Sequence, residues 1–410
     1  MRLLLVTDQY PPEICSAAGL MQELAEALAA RSHDVTVLTT SPRYKLDRND
    51  AEKTWPAFSV ENAVSVVRVP TFALHHVGYL RRGLATVLAP FQLWRGLRRH
   101  TATDFDTVFI YSPPITLGMI GLLMRRRGAS VVLNVQDIFP QNAIDLGILR
   151  NPLLITFFRW LEKLSYKHAD IITAHSKGNL DLLKSTHPDL AGKFRVLHNW
   201  IDICRFSAPQ KKDYRQLFSL NGKFVVLFAG VIGPAQGVHM LVEVADRVRD
   251  LDDLVFLVVG DGTEKQRAED LARSRGLGNI LFKPFISQDD YPDLLSSSEI
   301  GLICLSPDVK TPVVPGKVLG YMAASLPIAA FVNAESDVHQ LVADAECGAS
   351  CVSNDVTKME HILRQFHANP EAYRQRGHNG RKYVVEHFSM DRIVAEIERM
   401  MEEIRPSRRK

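Results

Sequence analysis

A Pro-Gly turn followed by lysine, Pro315-Gly316-Lys317, opens a short apolar helix inside VVPGKVLGYMAASLPIAAF (313–331). A helix that starts on such a turn presents backbone N–H groups and a positive dipole end, and Lys317 adds a full cation. Together they suit an anionic diphosphate. Four other clusters of chemically useful residues follow apolar, strand-like runs. QYPPEICSAAG (9–19) holds Glu13 and sets Gly19 just before a helix, and QDIFPQ (136–141) offers Asp137, a carboxylate able to act as a base or to orient a hydroxyl. AGVIGPAQG (229–237) spaces Gly230, Gly233 and Gly237 around Val231 and Gln236, and GDGTE (260–264) holds Gly260, Asp261, Gly262 and Glu264. Glycine lets backbone come close to a ligand. Any one of these loops also reads as an ordinary strand-to-helix turn, and Asp261 and Glu264 fit helix capping nearly as well as nucleotide contact. It is their repetition at strand ends that points to a binding site.

The elements that must carry these loops alternate. In the first half, LLLVTD, DVTVLTT, VSVVRV, TVFIYS, SVVLNVQD, DIITAHS and FRVLHN read as strands, separated by amphipathic helices such as MQELAEALAARS and LLITFFRWLEKLSYKHA. The second half repeats the theme with KFVVLFAG, LVFLVVGDG, NILFKPF and IGLICLS. Helices of this length between strands imply βαβ units and parallel sheets, and near-continuous apolar strands imply sheets covered on both faces. A polar stretch without periodicity, IDICRFSAPQKKD (201–213), marks the joint. The fold class is therefore α/β: two doubly wound Rossmann-like domains facing across a cleft, with ligands beyond the carboxyl ends of the strands.

At 410 residues, two domains are the natural division. An apolar content of 46% with 23% charged residues excludes a disordered chain, and a net charge of +3 gives no reason to invoke nucleic acid. Cys15, Cys204, Cys304, Cys347 and Cys351 are scattered, and Cys347-x3-Cys351 lacks a second pair, so the pattern fits a reducing cytoplasm and not a zinc site. The apolar run at the N-terminus is too short for a signal peptide. Pro113-Pro114 splits the longest uncharged stretch below the ~20 apolar residues that a membrane span requires. A peripheral membrane face is expected instead from YLRRGLATVLAPFQLWRGLRRH (79–100), where Leu84, Val87, Leu88, Phe91 and Trp94 accompany Arg81, Arg82, Arg95, Arg98 and Arg99 without an acid, and from Arg125-Arg126-Arg127. A core-facing helix with a solvated basic rim is the alternative.

The chain resembles glycosyltransferase family 4, of the two-Rossmann-domain B-type fold. The motifs that carry the resemblance are HNWIDICRF (198–206), FAGVIGPAQG (228–237), VVGDGTEKQ (258–266), FKPFIS (282–287) and PGKVLGYMAASLPIAA (315–330). EHFSMDRIVAEIERMMEEI (386–404) looks like the family's closing helix, which packs back on the first domain. TDQYPPE and QDIFPQNAIDLG resemble a subgroup of bacterial fucosamine and colanic-acid transferases of exopolysaccharide and O-antigen assembly. The resemblance implies an acceptor-binding domain over 1–205 completed by 388–410, and a nucleotide-sugar-binding domain over 206–387. It implies a retaining transfer of an N-acetylated or deoxy hexose from a UDP-linked donor to a polyprenyl-diphosphate-linked saccharide, with no metal or other cofactor. The place of work would be the cytoplasm, on the inner face of the cytoplasmic membrane. Donor contacts would fall on Gly19, Gly230, Val231, Gly233, Gln236, Gly260, Gly262, Glu264, Phe285, Gly316 and Lys317; Lys317 and Asp137 would be catalytic, and Glu13 and Asp137 would face the acceptor.

The sequence departs from the family in two ways. The Arg and Lys of the glycine-rich loop become Val231 and Gln236, and the family's paired glutamates fall at Pro312 and Gly320. The triplets Asp104-Phe-Asp106 and Asp250-Leu-Asp252 precede strands, at the wrong end of a sheet for chemistry. Rival readings are a nucleotide-sugar epimerase of the same fold using His175 or His198, and a non-catalytic nucleotide-sugar-binding scaffold. A dehydrogenase is disfavoured because the first strand is not followed by G-x-G-x-x-G.

Overall fold

The computed structural model describes residues 1–43, 46, 50, 52–72 and 79–405, with the backbone only for 79–84. The chain divides into two compact units, Met1–Trp200 with Met390–Lys410, and Ile201–Ser389. Ile201 joins the second unit because its N–H donates to the Phe388 carbonyl and it bridges Ser389.

The first unit is built on β1 (Arg2–Val6), β2 (Asp34–Thr40), β3 (Phe58–Glu61), β4 (Val64–Val69), β5 (Thr107–Ser112), β6 (Ser130–Val135), β7 (Ile171–Ala174) and β8 (Phe194–Val196). They pair in the order β3-β4-β2-β1-β5-β6-β7-β8, parallel except for β3 against β4. Its helices are α1 (Ser16–Ala30), α2 (Tyr79–His100), α3 (Gly118–Arg125), α4 (Gln141–Asp145), α5 (Pro152–His168) and α6 (Lys177–Thr186). One sheet face is covered by α2, α3, α5 and α6 through Leu93, Leu97, Ile120, Met124, Leu161 and Leu183. Cover on both faces leaves every position of β5 and β6 buried, and four of the six residues in each are apolar or aromatic. Local signals set the helix starts: the Asn151 side chain accepts from the N–H groups of Leu153 and Leu154, with Pro152 at the first helical position of α5.

The second unit contains β9 (Phe224–Ala229), β10 (Leu254–Val259), β11 (Ile280–Lys283), β12 (Ile300–Cys304), β13 (Ile328–Val332) and β14 (Gly348–Val352), all parallel in the order β11-β10-β9-β12-β13-β14. Its helices are α7 (Tyr214–Leu217), α8 (His239–Arg247), α9 (Lys265–Ser274), α10 (Tyr291–Ser296), α11 (Lys317–Ala323), α12 (Val338–Asp344), α13 (Val356–Ala368) and α14 (Pro370–Phe388). The last helix, α15 (Met390–Glu403), belongs to the first unit. Ile393, Val394, Ile397 and Met401 enter the core beside Met21 and Leu24 of α1, and Glu398 meets Arg31 at 2.8 Å and His33 at 2.9 Å. The expected closing helix is thus present and packs on the first domain.

Strand order reverses between β1 and β5 in the first unit and between β9 and β12 in the second. In open α/β sheets the crevice at such a reversal, beyond the strand carboxyl ends, is where ligands bind.

Candidate active site

In the second unit the reversal brings together the loop after β9, the loop after β10 and the start of α11. Gly230, Gly260 and Gly262 have φ of 141°, 156° and 155°, a region that L side chains rarely adopt. Their loops run side by side: the Gly230 N–H donates to Val259 at 2.9 Å, Ile232 to Asp261 at 2.9 Å, and Glu264 back to Ile232 at 3.0 Å. A Cβ at Gly260 would overlap the Gly230 carbonyl, and one at Gly262 the Ile232 carbonyl. These two glycines therefore serve first to let two loops touch, a role that the sequence alone did not distinguish from ligand approach.

Lys317 opens α11 and runs beneath this crossing. Its Nζ lies 3.4 Å from the Phe228 ring centroid and 3.3 Å from where a Cβ on Gly230 would stand. The residue is half-buried, but its Nζ is shut off from solvent and donates to no described residue. Burial away from water disfavours the charged form and brings its pKa down to about 7. Other lysines at these strand ends are tied to carbonyls, Lys265 to Gly260 and Lys283, and Lys310 to Pro307. An amine held in apolar surroundings without a partner is costly unless something anionic arrives. The helix itself contributes less than its sequence suggests. In the first turn the N–H groups of Val318 and Leu319 already donate to Pro315 and Gly316, which leaves those of Gly316 and Lys317 without a described acceptor. Tyr321, one turn on, locks α11 to the sheet, its hydroxyl accepting from Ala229 N–H at 3.0 Å and donating to the Leu227 carbonyl at 3.3 Å.

The departures from the family acquire structural reasons here. Val231 is 46% exposed at the loop tip, and the Gln236 side chain folds back to accept from Gly233 N–H at 3.3 Å. At Gly320, a Cβ would lie 2.9 Å from the Tyr291 ring, so Tyr291 fills the space that a glutamate there would need. Glu264 begins α9 without a side-chain cap and faces Arg267 at 3.4 Å; Asp261 accepts from Gly262 N–H; Phe285 is partly exposed beyond β11.

In the first unit, Glu13 is buried after β1 and accepts from Arg43 N–H at 2.9 Å. Helix α1 starts at Ser16, so Gly19 lies in its first turn and not ahead of it, as the sequence had suggested. Asp137 follows β6 and reaches solvent. The protein packed around it raises its carboxyl pKa, a rise that access to water tempers. Gln136, beside it, bonds Asn134 at 2.6 Å and exchanges two hydrogen bonds of 2.8 Å with Asn199. That amide network was not legible in the sequence, because nothing local links residue 136 to 199. His175 is held by Asn179, and His198 Nδ1 lies 2.9 Å from the His175 carbonyl.

The two D-x-D triplets are structural. Asp104 pairs with Arg2, Asp106 accepts from Arg2 N–H, and Asp250 is gripped by Arg364 at 2.8 Å. Among the described residues no group of three His, Cys, Asp or Glu could hold a metal ion. Along α2, the core side is Ala85, Ala89, Leu93 and Leu97, while Phe91 is 52% exposed and Arg95, Arg98 and Arg99 point to solvent. The side chains of Arg81, Arg82 and Leu84 lie outside the described residues. Trp94 is half-buried under the Arg127 guanidinium, 5.2 Å above its ring. No described helix is long and apolar enough to cross a membrane.

Two doubly wound sheets, with a glycine crossing and a lysine amine at one reversal, make a protein of the two-Rossmann-domain class. The family model described as "Glycosyl transferase 4-like domain" matches residues 20–200, and "Glycosyl transferases group 1" matches residues 209–403. The chain belongs to glycosyltransferase family 4 and is a glycosyltransferase of the B-type fold. It is 27% identical over 365 residues, 86% of its length and 88% of the relative's, to "Putative colanic acid biosynthesis glycosyl transferase WcaI" of Escherichia coli. Among solved structures, sucrose-phosphate synthase of Thermosynechococcus elongatus superposes with a TM-score of 0.77 at 16% identity over 98% of each chain. HepE of Anabaena, in complex with UDP-glucose, superposes with 0.72 at 15% identity over 98% of this chain and 100% of its own.

Proposed function

We propose that this glycosyltransferase moves a hexose, N-acetylated or deoxy, from a UDP-linked donor to a polyprenyl-diphosphate-linked saccharide, with retention, in bacterial cell-surface polysaccharide assembly. The observation that carries the donor half is Lys317: a buried amine without a partner, beneath a glycine crossing at a strand reversal. Negative charge grows on the leaving diphosphate in the transition state, and a preorganised cation in a water-poor site stabilises it more there than in the ground state. With Val231 and Gln236 uncharged, that work concentrates on Lys317 and the N–H groups of Gly316 and Lys317. Gly230, Gly233, Gly260 and Gly262 shape the wall, and Glu264 and Phe285 border the nucleotide. In this reading no metal takes part. Glu13 and Asp137 lie in the acceptor-binding unit, where Asp137 orients the acceptor hydroxyl. The colanic-acid relative supports the polysaccharide reading, and the UDP-glucose complex of a structure with this fold supports the donor class. Arg95, Arg98, Arg99 and Arg125–Arg127 would hold the enzyme to the anionic inner leaflet, where such an acceptor resides.

The test is a panel of UDP- and GDP-sugars incubated with and without lipid-linked acceptor, reading nucleotide release and product anomer. Release only with acceptor, giving a retained anomer, is the expected result. Interconverted sugar nucleotide without acceptor would replace it with the epimerase reading, and binding without turnover on any donor would replace it with the scaffold.

A further inference from the structure

Helix α5 has two faces that its place in a folded domain does not reconcile. Its inner face packs into the core: Leu161, Ser165 and Tyr166 are buried, and Phe158 stands edge-on to Phe139 with ring centroids 4.9 Å apart. Its outer face should be polar on the surface of a soluble domain. Instead Leu153 is 80% exposed and Trp160 58%, with Leu154 and Phe157 also open to solvent and the Phe157 and Trp160 rings 6.1 Å apart. Ile148, in the turn before the helix, is exposed too. Positions 153, 157 and 160 follow the i, i+4, i+7 spacing of one helical stripe. Neither the core nor the candidate site uses these side chains.

The charges that flank the stripe in sequence are cationic. From Leu146 to Leu161 the charged residues are Arg150 and Arg159, both exposed. Asp145, just before, is bonded by Gln141 at 2.6 Å, and Glu162, just after, turns inward to His187 at 3.7 Å. Helix α3 packs between α5 and α2 in the same layer, and this layer also presents Arg95, Arg98, Arg99, Arg125, Arg126 and Arg127 to solvent. A protein partner would have to supply an apolar groove rimmed by acids. An anionic leaflet supplies both the acyl boundary and the opposite charge at once.

We propose that α5 is a lipid-anchoring helix: Leu153, Leu154, Phe157 and Trp160, with Ile148, enter the acyl boundary of an anionic membrane while Arg150 and Arg159 stay among the headgroups. The inference rests on the peripheral-membrane part of the function proposed above and sharpens it, because it moves the apolar contact from α2, where the sequence placed it, to α5, and leaves α2 an electrostatic role. Large side chains that are exposed in the free protein cost little to remove, so substitutions here leave the fold intact.

The test uses the full chain and vesicles of phosphatidylcholine alone or mixed three to one with phosphatidylglycerol. Co-sedimentation with the mixed vesicles, and quenching of tryptophan emission by brominated acyl chains that vanishes in Trp160→Phe, are the expected results. Leu153→Ser/Trp160→Ser should weaken binding by about tenfold or more while its circular-dichroism melt stays unchanged. If that variant binds as wild type does while Arg95→Glu/Arg98→Glu/Arg99→Glu detaches, the membrane reading stands and the α5 anchor is overturned. If wild type binds neither vesicle, both are overturned. A concentration-dependent dimer, dissolved by the serine variant and showing no lipid quenching, would mean that a second copy covers the face and would likewise overturn the anchor.

Discussion

The strand-end loops of the two units are built from different residues. In the first unit, the loops beyond β1 and β5 carry Pro11-Pro12 and Pro113-Pro114. In the second, the loops beyond β9 and β10 carry Gly230, Gly233, Gly260 and Gly262, and a lysine closes the floor. Proline removes a backbone donor and fixes φ, whereas glycine frees both the donor and the path to it. In the first unit the loops beyond β1, β6 and β8 hold side-chain carboxylate and amide, with Glu13, Asp137, Gln136 and Asn199. In the second, the glycine N–H groups are used within the loops, and the N–H groups of Gly316 and Lys317 stand beside one cation. In the function proposed above, that asymmetry suits the second unit to the polyanionic donor and the first to the hydroxyl-bearing acceptor.

The assignment breaks most readily at Lys317. Lys317→Ala should lower turnover by about a thousandfold and weaken UDP binding, since it removes a preorganised charge where the leaving group forms; unchanged turnover measured by nucleotide release would sink the phosphate role. Gly260→Ala tests whether the glycine crossing is structural. The added Cβ would overlap the Gly230 carbonyl at a φ of 156°, so calorimetry should show the second unit destabilised by about 3 kcal/mol. On the other side of the comparison, Asp137→Asn should cut turnover by about a hundredfold with UDP affinity unchanged in titration calorimetry. If UDP affinity falls as well, the division of labour between the units is wrong. Tyr321→Phe keeps the ring but strands the buried Ala229 N–H, which should cost about 1–2 kcal/mol of stability in urea titration.

The smallest effect is one of pH. Burial lowers the Lys317 pKa from its ordinary 10.5 to about 7. Between those values the unfolded chain holds a proton that the folded protein does not, so the native state is penalised progressively as pH falls from 10.5, and the penalty is complete below about 7. Lys317→Met should therefore melt at higher temperature than wild type at pH 7, and the gap should narrow as pH rises toward 10. A gap that does not change with pH would show that the amine is not desolvated. Donor binding above pH 7 should take up a proton, visible as a dependence of the calorimetric heat on the buffer's ionisation enthalpy.

Much of this was legible in the chain. Alternating apolar runs and amphipathic segments gave the two parallel sheets, because strands covered on both faces must be apolar throughout. The Pro-Gly-Lys turn and the glycine pairs marked loops that gather at the strand carboxyl ends of the second unit, because glycine punctuates strand-to-helix turns. Other features were hidden. Tyr321 reads as one more core aromatic, yet its hydroxyl pins α11 to β9; Tyr291 excludes a carboxylate at Gly320 from a position far away in sequence. The apolar stripe of α5 could not be separated from a core-facing one by periodicity, since both faces of that helix are apolar and only the packing says which one meets the sheet.

The sequence by itself therefore determined the class of fold, the loops that gather at the strand ends and the lysine that serves them, because these follow from local pattern and residue chemistry. Only the tertiary structure decided that Gly260 and Gly262 hold one loop against another, that the Lys317 amine is left buried without a partner, and that Leu153, Phe157 and Trp160 face outward. Each of these depends on which distant atoms stand within a few ångströms, and no local pattern encodes that.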